Sequence, residues 1–264
     1  MLRYDRKMRI AQCSLLILLS GCIYAKNQIP HAVFEGGIYF KSEDIQRGSL
    51  KAKRGIEPHI MLLVKNEKRG FYAETKAFLP TQYKTLFGDR WTLGIGYLQK
   101  LTDFFTWDLG AQYHFLCRIP KDQLGHWREL YTGIKTDLLL APSLYIYHDF
   151  ERRQWCWEIK FNYDFDLEVF GWTHWTLDMT CTYGYLKYKK PFGGIRSNAW
   201  ERKDHYWYAA LSLFLTYHFN DHCCARIGPQ FSYNRDGTKP YSSANEATHH
   251  SHLCSLNVGL SYYF

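Results

Sequence analysis

The sequence of 264 residues lacks long apolar runs. After residue 25, no stretch approaches the roughly 18 apolar residues that a membrane-spanning helix needs. A polytopic helical membrane protein is therefore excluded. General disorder is excluded as well, because 46% of the residues are hydrophobic, which is enough to fill a core.

Enzyme and metal motifs are absent too. There is no GxSxG nucleophile elbow, no HExxH motif and no CxxC pair, so no cofactor and no metal site are predicted. His249, His250 and His252 are close in sequence, but Ser, Thr and Asn surround them, which favours a solvated loop. The six cysteines after residue 25 are mostly interpreted as unpaired apolar side chains, although disulfides remain an alternative that the sequence leaves open.

Clustered positive charge is also missing. Residues 1–25 contribute +3 to the formal net charge of +8, which leaves a spread-out +5 for the rest of the chain. No basic stretch with interleaved aromatic residues indicates a nucleic-acid partner.

The first 25 residues form a predicted secretory signal. Four basic residues precede the apolar stretch 10–19, and small residues follow it, as in cleaved signal peptides. Two processing sites compete. Cleavage after Ala25 leaves an unmodified chain, whereas residues 19–22 resemble a lipobox that would make Cys22 a lipidated first residue. Residues 26–264 then form a single exported domain.

Aromatic residues are abundant, and they sit in alternating segments. Tyr, Phe and Trp make up 18% of the chain. In 155–167, one face carries Trp, Ile, Phe, Tyr and Leu while the other carries Cys, Glu, Lys, Asn and Asp. Complete sorting with a period of two residues indicates a strand. Its length exceeds the usual 5–6 residues of soluble strands and suits a membrane strand of roughly 9–11.

Eleven such segments and the C-terminal one predict an all-β, closed, antiparallel up-and-down transmembrane barrel of about 12 strands, within a range of about 10 to 14. Long connections are predicted at 41–54, 81–89, 119–127, 187–204 and 234–251, and short ones at 66–70, 102–104, 141–142 and 220–222.

Aromatic residues near the strand ends favour a membrane barrel over a secreted β-sandwich, which stays open as an alternative. Two aromatic girdles are typical of outer-membrane barrels. The predicted girdle residues are Trp155, Trp157 and Trp207 near the long connections, and Trp107, Trp175, Tyr217, Phe219 and Tyr262 near the short ones.

The C-terminal strand resembles the terminal signature of bacterial outer-membrane proteins. Its apolar face consists of Leu256, Val258, Leu260, Tyr262 and Phe264. In that family, such a strand with Phe as the last residue implies recognition by the barrel-assembly machinery and localisation in the cell outer membrane.

A narrower resemblance rests on short motifs along the chain. These are residues 45–48 (IQRG), 70–74 (GFYAE), 129–133 (ELYTG), 140–150 (LAPSLYIYHDF) and 183–185 (YGY). The series is similar to the TorF-like putative porins, although Gln46 stands where that family often has an aromatic residue. The resemblance implies a channel-like barrel in the lipid bilayer and names no substrate.

With the apolar faces outside, the polar faces point into the lumen. The predicted pore-lining residues are Glu74, Lys76, Asp108, His114, Lys135, Asp137, Glu158, Lys160, Asp164, Asp166 and Asp178. Mixed charges of this kind suit selection of small hydrophilic solutes in an open or loop-narrowed pore, or a static ion-pair network in a narrow barrel. Glu158 and Asp178 lie on neighbouring strands and could form a carboxylate pair.

The function predicted from the sequence is therefore a porin-like channel, not an enzyme. Two alternatives remain open: a non-conducting adhesin or structural barrel that works through loops 187–204 and 234–251, and a lipid hydrolase at the membrane rim. The oligomeric state is not predicted.

Overall fold

The computed structural model describes residues 31–47, 49–81, 89–117, 125–188, 205–234 and 252–264. Over these ranges the chain forms twelve strands and one short 3-10 helix, Leu167–Phe170. The strands are β1 (His31–Gln46), β2 (Ser49–Lys65), β3 (Arg69–Pro80), β4 (Arg90–Lys100), β5 (Phe105–Leu116), β6 (His126–Thr136), β7 (Ser143–Asp149), β8 (Gln154–Asp166), β9 (Trp175–Tyr188), β10 (His205–Asn220), β11 (Cys223–Asn234) and β12 (His252–Tyr263). The predicted signal segment and Cys22 lie outside the described residues.

The sheet closes on itself. Each strand pairs antiparallel with its neighbours in sequence, and β12 pairs with β1, with Ile38 opposite Leu260. Phe34 and Phe264 exchange two backbone hydrogen bonds of 3.1 and 2.8 Å at the end of this closing ladder. The predicted fold class is confirmed: the chain is a closed, twelve-stranded, antiparallel β-barrel. Closure excludes the sandwich alternative, whose two sheets keep separate edges.

The two ends of the barrel differ. His31, Phe264 and the short connections such as 66–68 and 221–222 lie at one end, which we call the terminal rim. The opposite end, the loop rim, joins the strands through connections that include 189–204 and 235–251. These two longest connections contain the predicted adhesive loops, nearly all of which lie outside the described residues.

Alternation along each strand sorts the side chains between lumen and outer surface. On β12, Ser255, Asn257 and Ser261 are buried, whereas Leu256 and Leu260 are about half exposed. An apolar face that points outward around a closed sheet would meet water in a soluble protein, so a lipid environment explains this inversion. The predicted girdle residues follow the same rule: Trp155 and Trp207 are exposed on the outer face towards the loop rim, and Phe219 and Tyr262 towards the terminal rim.

Five inward tyrosine rings cover inward glycines on neighbouring strands. A Cβ atom added to any of these glycines would lie within 2.5 Å of the covering ring. The pairs are Tyr39 over Gly259, Tyr72 over Gly96, Tyr131 over Gly110, Tyr145 over Gly133 and Tyr208 over Gly184. The glycines thus let large rings lie flat along the inner wall, because only a residue without a side chain allows so close an approach.

Two sequence predictions about connections were wrong. The predicted loop 41–54 is strand, with β1 and β2 joined only by residues 47 and 48. Polar residues occupy both faces of this part of the sequence, so the amphipathic alternation that marks a strand is missing there. The predicted strand 130–140 also ends early, at Thr136, and Leu138, Leu139 and Leu140 lie exposed in the turn that follows.

Prolines interrupt two ladders. Glu57 and Pro58 of β2 have no paired residue on β3, although the register is the same before and after them. Gly228 and Pro229 of β11 likewise have no paired residue on β10. Proline has no amide hydrogen to donate, which accounts for both gaps. On their other sides, Pro58 pairs with Ile38 and Pro229 with Leu256.

Over the described residues, no helix is long and apolar enough to cross a membrane. The six cysteines in these ranges are all free thiols, which agrees with the interpretation as unpaired side chains.

Candidate functional site

The candidate site is the polar inner surface of the barrel. Of the predicted lumen residues, those on the inward faces of strands are Glu74, Lys76, Asp108, His114, Lys135, Glu158, Lys160, Asp164 and Asp178. Asp166 ends β8 and accepts a 2.9 Å hydrogen bond from the amide of Glu168, so it caps the 3-10 helix. Asp137 is different: it lies in the exposed turn after β6, because that strand ends at Thr136 and the Asp137 amide bonds to the carbonyl of Phe104.

Arg47, at the tip of the β1–β2 hairpin, reaches across the lumen. Its guanidinium forms two parallel hydrogen bonds of 2.7 and 2.8 Å with the Glu129 carboxylate on β6. It also lies 4.5 Å above the Tyr147 ring on β7 and 3.9 Å from the Glu158 carboxylate on β8. Its backbone carbonyl accepts a 2.9 Å hydrogen bond from Tyr206 on β10. The hairpin tip is therefore held against the wall opposite to its own strands.

The partners of Arg47 are themselves held in place. Glu158 accepts a hydrogen bond from the Tyr208 hydroxyl and lies 2.9 Å from the Lys160 ammonium. The side chain of Glu129 is only 3% exposed and that of Glu158 8%, against 23% for Arg47. Two carboxylates and two cations thus share one level of the lumen and balance each other in charge. We call Arg47, Glu129, Glu158, Lys160 and Tyr208 the cross-lumen cluster.

A second anchor reinforces the same hairpin. Asp44 on β1 and Arg90 on β4 form a salt bridge of 2.7 Å, and both residues are buried. The hydroxyl of Ser255 on β12 donates to the backbone carbonyl of Glu43 at 2.8 Å. The hairpin is thus fixed to the wall at its base as well as at its tip.

Asp108 on β5 organises a second network inside the barrel. Its carboxylate accepts hydrogen bonds from Tyr72 at 2.8 Å and Tyr145 at 2.7 Å, and it lies 2.9 Å from the Lys135 ammonium. The Tyr72 hydroxyl is also hydrogen-bonded to that of Tyr131. The group connects β3, β5, β6 and β7, so a substantial part of the predicted pore lining is a fixed ion-pair and hydroxyl network.

The wall formed by β1, β2, β11 and β12 carries separate contacts. The Tyr39 hydroxyl is hydrogen-bonded to Ser261 at 2.6 Å and to the Arg226 guanidinium, which also lies 4.4 Å above the Tyr39 ring. Lys41 and Glu57 form a salt bridge of 2.7 Å. Arg226 is thus positioned by the Tyr39 ring two strands away, and Lys41 by the carboxylate of Glu57 on the adjacent strand.

Towards the terminal rim, the inward faces of β8 and β9 are acidic. Asp164 on β8 lies directly opposite Asp178 on β9, and Asp166 ends β8 below them. Asp178 accepts hydrogen bonds from Thr176, at 3.1 Å, and Thr216. The suggested pairing of Glu158 with Asp178 is not formed, because Glu158 lies opposite Gly184, six residues further along β8. At about 3.3 Å per residue, that is roughly 20 Å away.

No protein-family model matches the chain, and no curated protein matches it in sequence. Solved structures do match it. A NanC porin superposes with a TM-score of 0.51 at 14% identity, over 88% of this chain and 99% of that one. LpxR from Salmonella typhimurium gives 0.51 at 7% identity, over 89% and 100%, and the KdgM porin gives 0.49 at 11% identity, over 87% and 99%.

The chain has the fold of an outer-membrane β-barrel. At sequence identities this low, the similarity shows the fold alone. They agree with the apolar outer face, the two aromatic girdles and the even number of strands, which are the general features of these barrels.

Three members of the cross-lumen cluster, Arg47, Glu129 and Tyr208, were not predicted from the sequence. Glu129 and Tyr208 occupy inward positions in alternating segments, so a systematic count of inward polar residues would have found them. Arg47 gave no such signal, because it lies in a predicted loop, and its contact with Glu129 spans 82 residues of sequence. In the described part of the barrel, no group of three or more His, Cys, Asp or Glu side chains is arranged to hold a metal ion.

Replacement of Asp108 should destabilise the barrel. The Asp108→Ala variant leaves two tyrosine hydroxyls and one lysine without their acceptor, and we expect a loss of about 2–3 kcal/mol in the free energy of unfolding. The measurement is the urea midpoint of the barrel refolded into lipid vesicles, followed by tryptophan fluorescence. Asp103→Ala is the matched control, since the Asp103 side chain is 90% exposed in a turn. Equal midpoints for the two variants would show that the network contributes nothing to stability.

Proposed function

We propose that the protein is an outer-membrane channel through which small hydrophilic solutes diffuse passively. The observation that carries the proposal is the charged inner surface with the Arg47 hairpin held across it. A barrel with a merely structural role needs only enough inward side chains to fill its interior, whereas this one places balanced fixed charges at one narrow level. The NanC porin, a structural neighbour, supports the assignment, as does the resemblance to TorF-like putative porins.

Export and assembly belong to the same proposal. Residues 1–25 would direct export, with cleavage after Ala25 or lipidation at Cys22, and the C-terminal strand would be recognised by the barrel-assembly machinery. The apolar residues of that strand, Leu256, Val258, Leu260, Tyr262 and Phe264, form the outward face of β12 and the residue after it. They are therefore accessible to a partner that inserts the barrel into the bilayer.

The charged residues define two regions of the solute path, one that limits its width and one that selects solutes by charge. The cross-lumen cluster has no net charge at its level, so its main effect is to limit the width of the path. At the terminal rim, Asp164, Asp166 and Asp178 form no salt bridge with any described residue. A mouth with three carboxylates attracts cations and disfavours anions, and the effect should weaken as salt concentration rises.

The test is single-channel recording of the refolded protein in planar bilayers. We expect discrete conductance steps, and a reversal potential under a KCl gradient that indicates preference for K⁺. In the double variant Asp164→Asn/Asp178→Asn, this preference should decrease while the conductance steps persist. The control is Asp103→Asn/Asp221→Asn, an equal loss of two charges in exposed turns. If the folded wild-type barrel and the folded Arg47→Ala variant both fail to conduct, the channel assignment is overturned.

A further inference from the structure

The outer face of β7–β10 contains a groove of about 310 Å³. Its lining is made of Leu144, Trp157, Ile159, Tyr183, Gly184, Tyr185 and Trp207. The large side chains among these point away from the lumen, and Leu144, Ile159, Tyr183 and Trp207 are between 40% and 50% exposed. The groove is thus an apolar depression in the surface that an outer-membrane barrel turns towards lipid.

Stacked rings give this groove fixed walls. The ring centroids of Tyr183 and Trp207 are 5.3 Å apart, those of Tyr185 and Trp207 4.3 Å, and those of Trp157 and Tyr185 5.6 Å. Side chains that pack on one another lose little further freedom when a ligand binds. A flexible aliphatic chain could therefore occupy the groove without first reorganising it.

A lysine lies directly above the groove on the loop-rim side. Lys187 of β9 lies opposite His205 of β10 and opposite Trp155 of β8. The next outward row below contains Trp157, Tyr185 and Trp207. Two residues along a strand span about 7 Å, so the row of Lys187 is one step from the mouth of the groove. Lys187 is exposed and forms no salt bridge with any described residue.

The neighbouring arginine on this face is already engaged. Arg128 of β6 donates to the Glu151 carboxylate through its backbone amide at 2.6 Å and its Nε at 2.7 Å. Burial alone would raise the pKa of Glu151, but the hydrogen bonds from Arg128 lower it below its ordinary value. Lys187, by contrast, has no acidic partner among the described residues and can meet an external anion.

We infer that this face binds a phosphorylated glycolipid of the outer leaflet, with one acyl chain in the groove and a phosphate group at Lys187. Along the strands, the row with Lys187 is followed by the aromatic row and then by the apolar groove. In such an amphiphile, the phosphate is likewise followed by the sugar or glycerol backbone and then by the acyl chain. The loop rim is the side of the outer leaflet in barrels with long external loops. The inference rests on the proposed location in the outer membrane, but it does not depend on channel activity.

The experiment is native mass spectrometry of the folded barrel in detergent, titrated with diphosphoryl lipid A. We expect one tightly retained lipid A molecule in the wild type. Retention should weaken about tenfold in Lys187→Gln, because a hydrogen bond to a charged group is lost. It should also weaken in Tyr183→Ala, which removes one wall of the groove. Lys68→Gln, an exposed lysine in the connection at the terminal rim, is the matched control and should retain lipid A as the wild type does.

The outcome separates the lipid site from the channel. Lys187 and Tyr183 point outward, so single-channel conductance should be the same in both variants. Equal retention of lipid A by wild type and Lys187→Gln would overturn the inference, as would equal retention of phosphatidylglycerol or phosphatidylethanolamine in place of lipid A. Folding of each variant is verified beforehand by its heat-dependent shift in electrophoretic mobility.

Discussion

Arg47→Ala should raise the single-channel conductance of the barrel several-fold. The substitution removes the only side chain among the described residues that joins the β1–β2 hairpin to Glu129 across the lumen. The path widens at the level of the cross-lumen cluster, and Glu129 and Glu158 then face a single remaining cation, Lys160. The reversal potential should therefore shift towards stronger cation selectivity in the same recording.

Two controls make this result interpretable. Arg153→Ala removes an equal charge from an exposed turn at the same rim, and it should leave conductance unchanged. Arg47→Lys keeps the charge but loses the two parallel hydrogen bonds, so its conductance should lie between those of wild type and Arg47→Ala. Identical conductance in all four proteins would show that the hairpin tip does not limit the path.

Gly184→Val should unfold the barrel more readily than any other single substitution considered above. The added Cβ would lie 2.2 Å from the Tyr208 ring, and that ring cannot move freely because its hydroxyl is bonded to Glu158. Overpacking of this kind costs about 1–3 kcal/mol, to which the disturbed buried hydrogen bond adds about 1 kcal/mol or more. The urea midpoint of the refolded barrel measures the loss.

The matched control is Gly36→Val, the same change on the outer face of β1. A Cβ at Gly36 would only make an ordinary contact of 3.5 Å with Phe34, so its midpoint should stay close to that of the wild type. In a double variant, Tyr208→Ala should recover part of the loss caused by Gly184→Val, because the clash is removed. If the two substitutions were simply additive, the ring-over-glycine contact would not be the source of the effect.

The sequence predicted the transmembrane wall well, because lipid and lumen impose opposite demands on successive residues. Segment 155–167 was sorted completely, and β8 occupies 154–166 with the expected faces. The prediction was wrong where those demands stop. In 41–54 polar residues occur at alternate positions on both faces, so this strand was predicted as a loop. In 138–140 three leucines lie exposed in a turn, so this turn was predicted as the end of a strand.

The inner surface was predictable in composition but not in pairing. Inward residues such as Asp108 and Glu158 followed directly from alternation. Their partners did not, because contacts between strands on opposite sides of a barrel depend on register and on how far a hairpin leans inward. To predict the contact between Arg47 and Glu129, both the register and the lean of the hairpin must be known. To predict the distance between Glu158 and Asp178, the register across the eight-residue connection after β8 must be known.

The ladder gaps at Pro58 and Pro229 divide the wall into two panels. One contains β11, β12, β1 and β2, and the other contains β3–β10. Each seam between the panels has a two-residue gap in its ladder, and the missing backbone hydrogen bonds make the sheet easier to open there by thermal fluctuation. Arg47 belongs to the small panel, whereas Glu129, Glu158 and Tyr206 belong to the large one. Arg47 therefore also braces the two panels of the wall against each other, so under the proposed channel function a solute that competed for Arg47 would loosen the barrel as well.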